Sequence, residues 1–295
     1  MGSSLDWEER LRELAEDHRS PSSALAARAT LLLREVAEQD PEMLAEVSRG
    51  LVLAQPSMAA LANIANVTLR TVEVLGLASV AKALETLQAG VDADRRAAAA
   101  ALCERIEAPV RVVTTSASAG VVEAIQALDR HDLLRGVVCS ESRPLLEGTA
   151  LARWLVEQHC ETTLVSDAGL YEHLTPGTVF VVGTEAILPQ HIVAKRGTRA
   201  YATWAALAAV PRYVLASRDK LYPHELVGCF ANPERPAIDF VRDPPEALRV
   251  DHRSFDLTAR TVWTEIWVGR NALAVAEQAG DHVLARGLQQ LVRSN

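Results

Sequence analysis

The chain has 295 residues, 49% hydrophobic and 23% charged, a composition typical of a soluble globular protein of one large or two ordinary domains. Its net charge of −8 argues against a nucleic-acid groove or an anionic membrane surface, since the sequence shows no basic run to oppose the overall field. Met1 to Glu9 is acidic and lacks an apolar centre, Asp6 spoils a myristoylation pattern, and no apolar run approaches the roughly 18 residues that cross a bilayer. A cytoplasmic protein without membrane association is expected.

Helical periodicity governs the first third. Leu5 to Asp17 reads as a helix, and Ser20-Pro21 opens a second that carries Leu25, Ala29, Leu32 and Val36. Asp40-Pro41-Glu42 opens a third through Met43, Val47 and Leu51, and Gln55-Pro56-Ser57 a fourth through Leu61, Ala65 and Leu69. Leu77–Gln88 and Asp92–Ile106 complete a helical domain, residues 1–108.

At Ala108-Pro109 the pattern changes to α/β alternation, defining a second domain, residues 109–295. Val110-Arg111-Val112-Val113-Thr114 is a buried-strand run, followed by the small-residue turn 115–120 and a helix from Val121. Further strands fall at 137–140, 162–167, 179–185 and 213–217. In such sheets ligands bind beyond the carboxyl ends of the strands, where Ser116, Glu141, Arg143, Asp167, Glu185 and Ser217 fall. Pro223–Pro245 reads as a surface excursion with room for an edge strand, Ser254–Ala259 as a short turn, and Thr264–Arg293 as largely helical.

The four cysteines have neither metal nor redox spacing, and no histidine pair at i, i+4 has a carboxylate beside it, so no metal is expected. Only three lysines, Lys82, Lys195 and Lys220, stand against 27 arginines.

Glu141-Ser142-Arg143-Pro144 with Gly148, Asp167 after its strand, Gly183-Thr184-Glu185-Ala186-Ile187, Lys195-Arg196-Gly197-Thr198 and Phe255-Asp256 with Thr264-Glu265 occur in one order. Over residues 15 to 265 the chain thereby resembles the family of translation initiation factor 2B regulatory subunits, methylthioribose-1-phosphate isomerase and ribose-1,5-bisphosphate isomerase. The resemblance implies a helical N-terminal domain on a Rossmann-like, doubly wound C-terminal domain, a homodimer, and a sugar-phosphate pocket with no cofactor. In the isomerases it implies a catalytic Cys/Asp pair that shuttles protons as the sugar ring opens.

This sequence departs from that pattern. Ser116 stands at the cysteine position and is too weakly acidic to replace a thiolate without a base. Glu185 stands at the aspartate position, a displacement of about 1 Å that can lower a rate roughly 100-fold. Ala194-Lys195 replaces Asn-Lys, Glu147 replaces Gln, and Gln55-Pro56-Ser57 replaces Arg-Pro-Thr, removing a phosphate-binding guanidinium.

The candidate ligand contacts are therefore Arg143, Asp167, Lys195, Glu141, Glu147 and Gln55, with Glu185 and Ser116 the candidate catalytic groups. Each has a structural alternative: Glu185 paired with Lys195, Arg143 bridging Glu141 or Asp167, Asp167 capping a helix, Ser116 shaping a turn. His191 is either a proton shuttle or a loop histidine. The expected function is binding of a ribose phosphate or nucleotide without the Cys/Asp chemistry. The alternatives are an isomerase-like enzyme using Glu185 and a non-catalytic assembly subunit.

Overall fold

The computed structural model describes residues 7–273 and 283–293. Helices α1 (Trp7–Glu16), α2 (Ser22–Gln39), α3 (Leu44–Ala54) and α4 (Ala59–Leu75) form the first layer. Along α2, Leu25, Ala29, Leu32, Leu33 and Val36 are buried, a stripe at helical spacing turned toward α3 and α4. The sequence suggested two helices over 77–106; there is instead one, α5 (Val80–Arg105), running unbroken through Gly90. Tertiary packing holds it: Val80 and Leu84 enter the core of the first layer, while Ala98, Ala99 and Leu102 pack on the sheet.

The sheet is built from β1 (Val110–Thr114), α6 (Ala119–Arg130), β2 (Leu134–Ser140), α7 (Glu147–Glu157), β3 (Thr162–Val165), β4 (Thr178–Val182), β5 (Ala186–Ile187), β6 (His191–Lys195), α8 (Thr198–Leu207), β7 (Arg212–Ala216), β8 (Phe255–Ala259), β9 (Glu265–Val268) and β10 (Asn271–Ala272). The main sheet has the order β10-β9-β7-β4-β1-β2-β3, parallel except for β10. Val112, Val137, Val179 and Leu215 face α5, α6 and α7, while Val113, Val138, Phe180 and Val214 face the α8 side. This period-two division of continuous apolar strands is what a doubly wound sheet requires.

Two expectations for the C-terminal third are corrected. Residues 255–259 form β8, which pairs antiparallel with β6 in a second sheet of order β5-β6-β8. Among the described residues, Thr264–Arg293 is not largely helical: β9 lies parallel to β7, β10 folds back on it, and the one α-helix described there is α9 (Gln289–Arg293). Ile266 on β9 is buried and Trp267 packs against the core, so the sheet captures a segment whose own pattern is weak. Residues 274–282 of that expected helix lie outside the described residues. No helix among the described residues is long and apolar enough to cross a membrane.

Helical layer and sheet share one core, in which Ala186, Leu188, Val193 and Tyr222 pack among residues of α2, α3 and α4. The Ala59 N–H donates to Glu185 O at 3.1 Å, and Asn63 donates to Asp219 O and Leu221 O at 2.9 and 2.8 Å. Asp94 on α5 accepts from the Arg218 backbone N–H, Nε and Nη2 at 2.9, 2.7 and 2.9 Å, tying α5 to the end of β7. Burial would raise the Asp94 carboxyl, but the Arg218 bonds outweigh it and hold the group below the usual carboxylate range. A depressed folded value gives stability that is complete above about pH 4 and lost as pH falls through the folded value. Asp94→Asn is expected to lower unfolding stability by about 1–2 kcal/mol at pH 7, because exposure of Arg218 screens the pair. Urea melts at pH 7 and pH 3 check it: the gap between wild type and variant narrows at pH 3.

Candidate functional site

β2 and β3 lie on one side of β1, and β4, β7 and β9 lie on the other. The loops leaving β1 and β4 therefore diverge, opening a crevice at their carboxyl ends. The first turn of α2 and the middle of α5 wall the opposite side, giving a cleft of about 1920 Å³. Ser116, Arg143, Glu147, Asp167, Glu185 and Lys195 line it. Gln55 and Glu141 do not: Glu141 continues the β2–β3 ladder through its N–H to Val165 O at 2.8 Å. His191 begins β6 and is also absent from the lining.

After β1, the Ser116 hydroxyl oxygen accepts from the N–H groups of Ser118 and Gly183 at 3.3 and 3.4 Å. These are backbone donors, not bases, so they do not activate the hydroxyl as a nucleophile. Ser118 caps α6 by accepting from the Val121 N–H at 3.3 Å. A Cβ at Gly183 would stand 2.3 Å from the Ser118 hydroxyl, so glycine is what lets β4 end against this turn.

Asp167 holds the neighbouring loop. Its two oxygens accept from the Ser142 and Arg143 N–H groups at 2.8 and 2.7 Å, fixing Ser142 at φ 61°. The bridge expected between Arg143 and Asp167 is thus made by the Arg143 backbone, and its guanidinium is exposed at the cleft. Tyr201 donates its hydroxyl to Asp167 O, and burial beside the Asp167 and Asp256 carboxylates pushes that phenol up to about 12.

Two lysine–carboxylate pairs line the crevice. Lys195 pairs with Glu147 at 2.5 Å and Lys220 with Glu185 at 3.3 Å. The expected structural partner of Glu185 was Lys195; Lys220, from the turn after β7, takes that place instead. Lys220 also donates to the Ser22 hydroxyl at 3.3 Å, and its side chain is 15% exposed. Burial disfavours its charge, but Glu185 and Asp219 outweigh burial and raise its pKa above the usual lysine value. The start of α8, beside Lys195, already holds an anion: Asp256 accepts from the Gly197 and Arg199 N–H groups at 2.7 and 3.2 Å.

Gln55, 1% exposed, donates to Leu14 O, Ala15 O and Asp17 O at the end of α1. Its Oε1 accepts from Arg235 at 3.3 Å. Arg235 also donates to the Ser254 hydroxyl at 3.2 Å and to His18 Nδ1 at 2.8 Å. Arg235 and His18 both line the cleft. Sequence reasoning missed them, and Lys220 as well. The scarcity of lysine marked Lys220; nothing local marked Arg235, which lies in the Pro-rich excursion. That excursion contains short turns and a single bridge, Glu234 to Arg253, rather than an edge strand.

Removing one member of the Lys220 pair leaves a desolvated charge. Glu185→Gln is expected to cost about 1–3 kcal/mol of stability, with Asp219 limiting the loss. Thermal melts of Glu185→Gln and Glu185→Asp check this, the aspartate variant falling between wild type and glutamine.

The comparisons with known proteins agree with this architecture. An eIF-2B subunit 2-like translation initiation factor of Pyrococcus horikoshii is 28% identical over 270 residues, spanning 88% of this chain and 94% of the relative. The ribose 1,5-bisphosphate isomerase of Methanocaldococcus jannaschii is 28% identical over 128 residues, 41% of each chain. The crystal structure of the Pyrococcus horikoshii OT3 translation initiation factor eIF-2B superposes with a TM-score of 0.78 at 25% identity, covering 91% of this chain and 97% of that one. Residues 15–266 match the Initiation factor 2 subunit family, and the chain belongs to it.

Proposed function

We propose that this protein binds a small phosphorylated sugar or nucleotide in the cleft and does not run Cys/Asp isomerisation on it. The reading rests on the state of the two positions where the resemblance places that chemistry. Ser116 faces backbone N–H donors rather than a base, and the Glu185 carboxylate is held by Lys220. A hydroxyl without a base cannot supply the thiolate's proton transfer, and the carboxylate is engaged by a protein ammonium rather than free for a substrate.

The remaining lining suits a polar, anionic ligand. Arg143 presents an exposed guanidinium and Arg235 a half-buried one, while Asp167 and Glu185 offer acceptors for sugar hydroxyls. Kinship with ribose 1,5-bisphosphate isomerase supports the same ligand class. Self-association is proposed with it, on the strength of the family alone.

A second reading is favoured by one observation, the Lys220–Glu185 pair bordering the cleft beside Ser22. A carboxylate and an ammonium in contact can exchange a proton, and such a couple could serve isomerase-like chemistry on a ribose phosphate. Melting temperatures separate the readings in stages. Ribose 5-phosphate, ribose 1,5-bisphosphate, AMP and CMP are compared with ribose and adenosine. At about 100 times Kd a bound ligand adds roughly 2.7 kcal/mol, a shift of a few degrees for a chain of this size. The expected result is a shift with a phosphorylated member and none with its dephosphorylated counterpart. Phosphorus and proton NMR of the incubated ligand should then show it unchanged; conversion to a ketose would replace the first reading by the second. No shift from any phosphorylated member would overturn both.

A further inference from the structure

Most cations at the cleft are neutralised within the protein. Lys195 and Lys220 have Glu147 and Glu185, Arg95 has Asp92, and Arg196 has Asp251 at 3.5 Å. Arg235 differs. Its hydrogen-bond partners, Ser254, His18 and Gln55, are all uncharged acceptors. Asp239, the acid near it, pairs with Arg19 at 3.7 Å, and Asp17 on the other side of His18 pairs with Arg28 at 2.7 Å. Among the described residues the Arg235 guanidinium forms no ion pair.

A guanidinium has five N–H donors, and these three bonds use one each on Nε, Nη1 and Nη2. One donor is left on each terminal nitrogen, available to the oxygens of an anion. Because a guanidinium can only donate, His18 Nδ1 must accept, which places the proton of a neutral imidazole on Nε2. That N–H adds a third donor at the same corner of the cleft. The three existing bonds also hold the guanidinium in place, so little side-chain freedom remains to be lost when an anion arrives.

We infer that Arg235, oriented by Gln55, Ser254 and His18, is the anchor for the ligand's phosphate or other anionic group. The inference rests on the reading that the cleft binds an anionic small molecule, and it assigns that molecule's charged end to the corner formed by α1's end and the excursion after β7. The sugar or base then extends toward Ser116 and Glu185. The electrostatics of the corner agree. His18 is held below the usual histidine range by burial and by the Arg235 charge, and His252 by burial together with Arg196, Arg235 and Lys195. Asp239 opposes the shift at both histidines without reversing it.

The test is titration of inorganic phosphate and of ribose 5-phosphate into wild type, Arg235→Gln, Arg235→Lys and Arg143→Gln, read by calorimetry. Arg235→Gln is expected to weaken both ligands roughly tenfold or more, and Arg143→Gln by less than about threefold. Arg235→Lys keeps the charge but loses the guanidinium, so an intermediate loss is expected; it also carries the test if the glutamine variant fails to fold by circular dichroism. Wild-type affinity in either Arg235 variant, or the larger loss in Arg143→Gln, would overturn the assignment while leaving the binding reading intact. Absence of phosphate binding by wild type would overturn the anion corner, whereas the sugar and nucleotide melts decide the broader reading.

Discussion

Between β1 and β4 the chain leaves the sheet in opposite directions, and the floor of the cleft is placed by that divergence. Two parallel neighbours whose connections go to opposite sides cannot share a covering loop, so their carboxyl ends stay open. Backbone N–H groups stranded there need partners, and small polar side chains supply them: Ser116 for Gly183 and Ser118, Ser118 for Val121. Larger side chains are excluded at two glycines beside the crevice. A Cβ at Gly183 would run into Ser118, and on the neighbouring loop a Cβ at Gly148 would stand 1.7 Å from Ser140 O. What fills the space above must come from the helical layer or from a ligand.

Once the helical layer closes that space, charge becomes the next constraint. Taking ions out of water is costly unless each has a partner. The pairs Lys195–Glu147 and Lys220–Glu185, and the Asp256 carboxylate at the start of α8, meet that requirement with protein groups. The same pairs make these positions poor anchors for an incoming phosphate. Binding at Lys195 would bring a second anion against Glu147, and binding at α8 would compete with Asp256 for the same N–H groups. An anion is better accommodated where the protein has left a cation with only neutral partners.

Much of this was legible in the sequence, for physical reasons that also explain what was not. Runs such as Val110-Arg111-Val112-Val113-Thr114 are continuous and β-branched because both faces of a central parallel strand are buried, and they identify themselves. The segment after Thr264 has no such signal: Glu265-Ile266-Trp267-Val268 becomes a strand because β7 offers a free edge in register. The site divided along the same line. Ser116, Asp167 and Glu185 sit at strand ends and were visible from their position. Their partners Gly183, Arg143 and Lys220 come from other parts of the chain, so the roles of these groups depended on contacts that no local pattern encodes. Arg235 is the extreme case, a functional candidate in a segment without periodicity, brought to the cleft by the Glu234–Arg253 bridge and the Ser254 bond.

The departures from the isomerase pattern are physically linked rather than independent. Where the resemblance places an arginine, Gln55 gives its amide N–H groups to the end of α1 and its oxygen to Arg235. An arginine there would have no acceptor to offer, and its guanidinium would meet that of Arg235 at hydrogen-bond range, a like-charge contact in a buried setting. Glutamine at 55 and arginine at 235 are therefore compatible with each other in a way that two arginines are not. Glutamate at 185 is matched to its surroundings in the same sense. Its Oε2 lies 3.3 Å from the Lys220 ammonium, and an aspartate would stop about 1.5 Å short, leaving the lysine without its nearest counter-charge. The extra methylene thus carries the carboxylate to the distance at which it neutralises a buried cation. Gln55 with Arg235, and Glu185 with Lys220, are two matched sets: each of these departures from the isomerase pattern has a partner elsewhere in the chain that satisfies it.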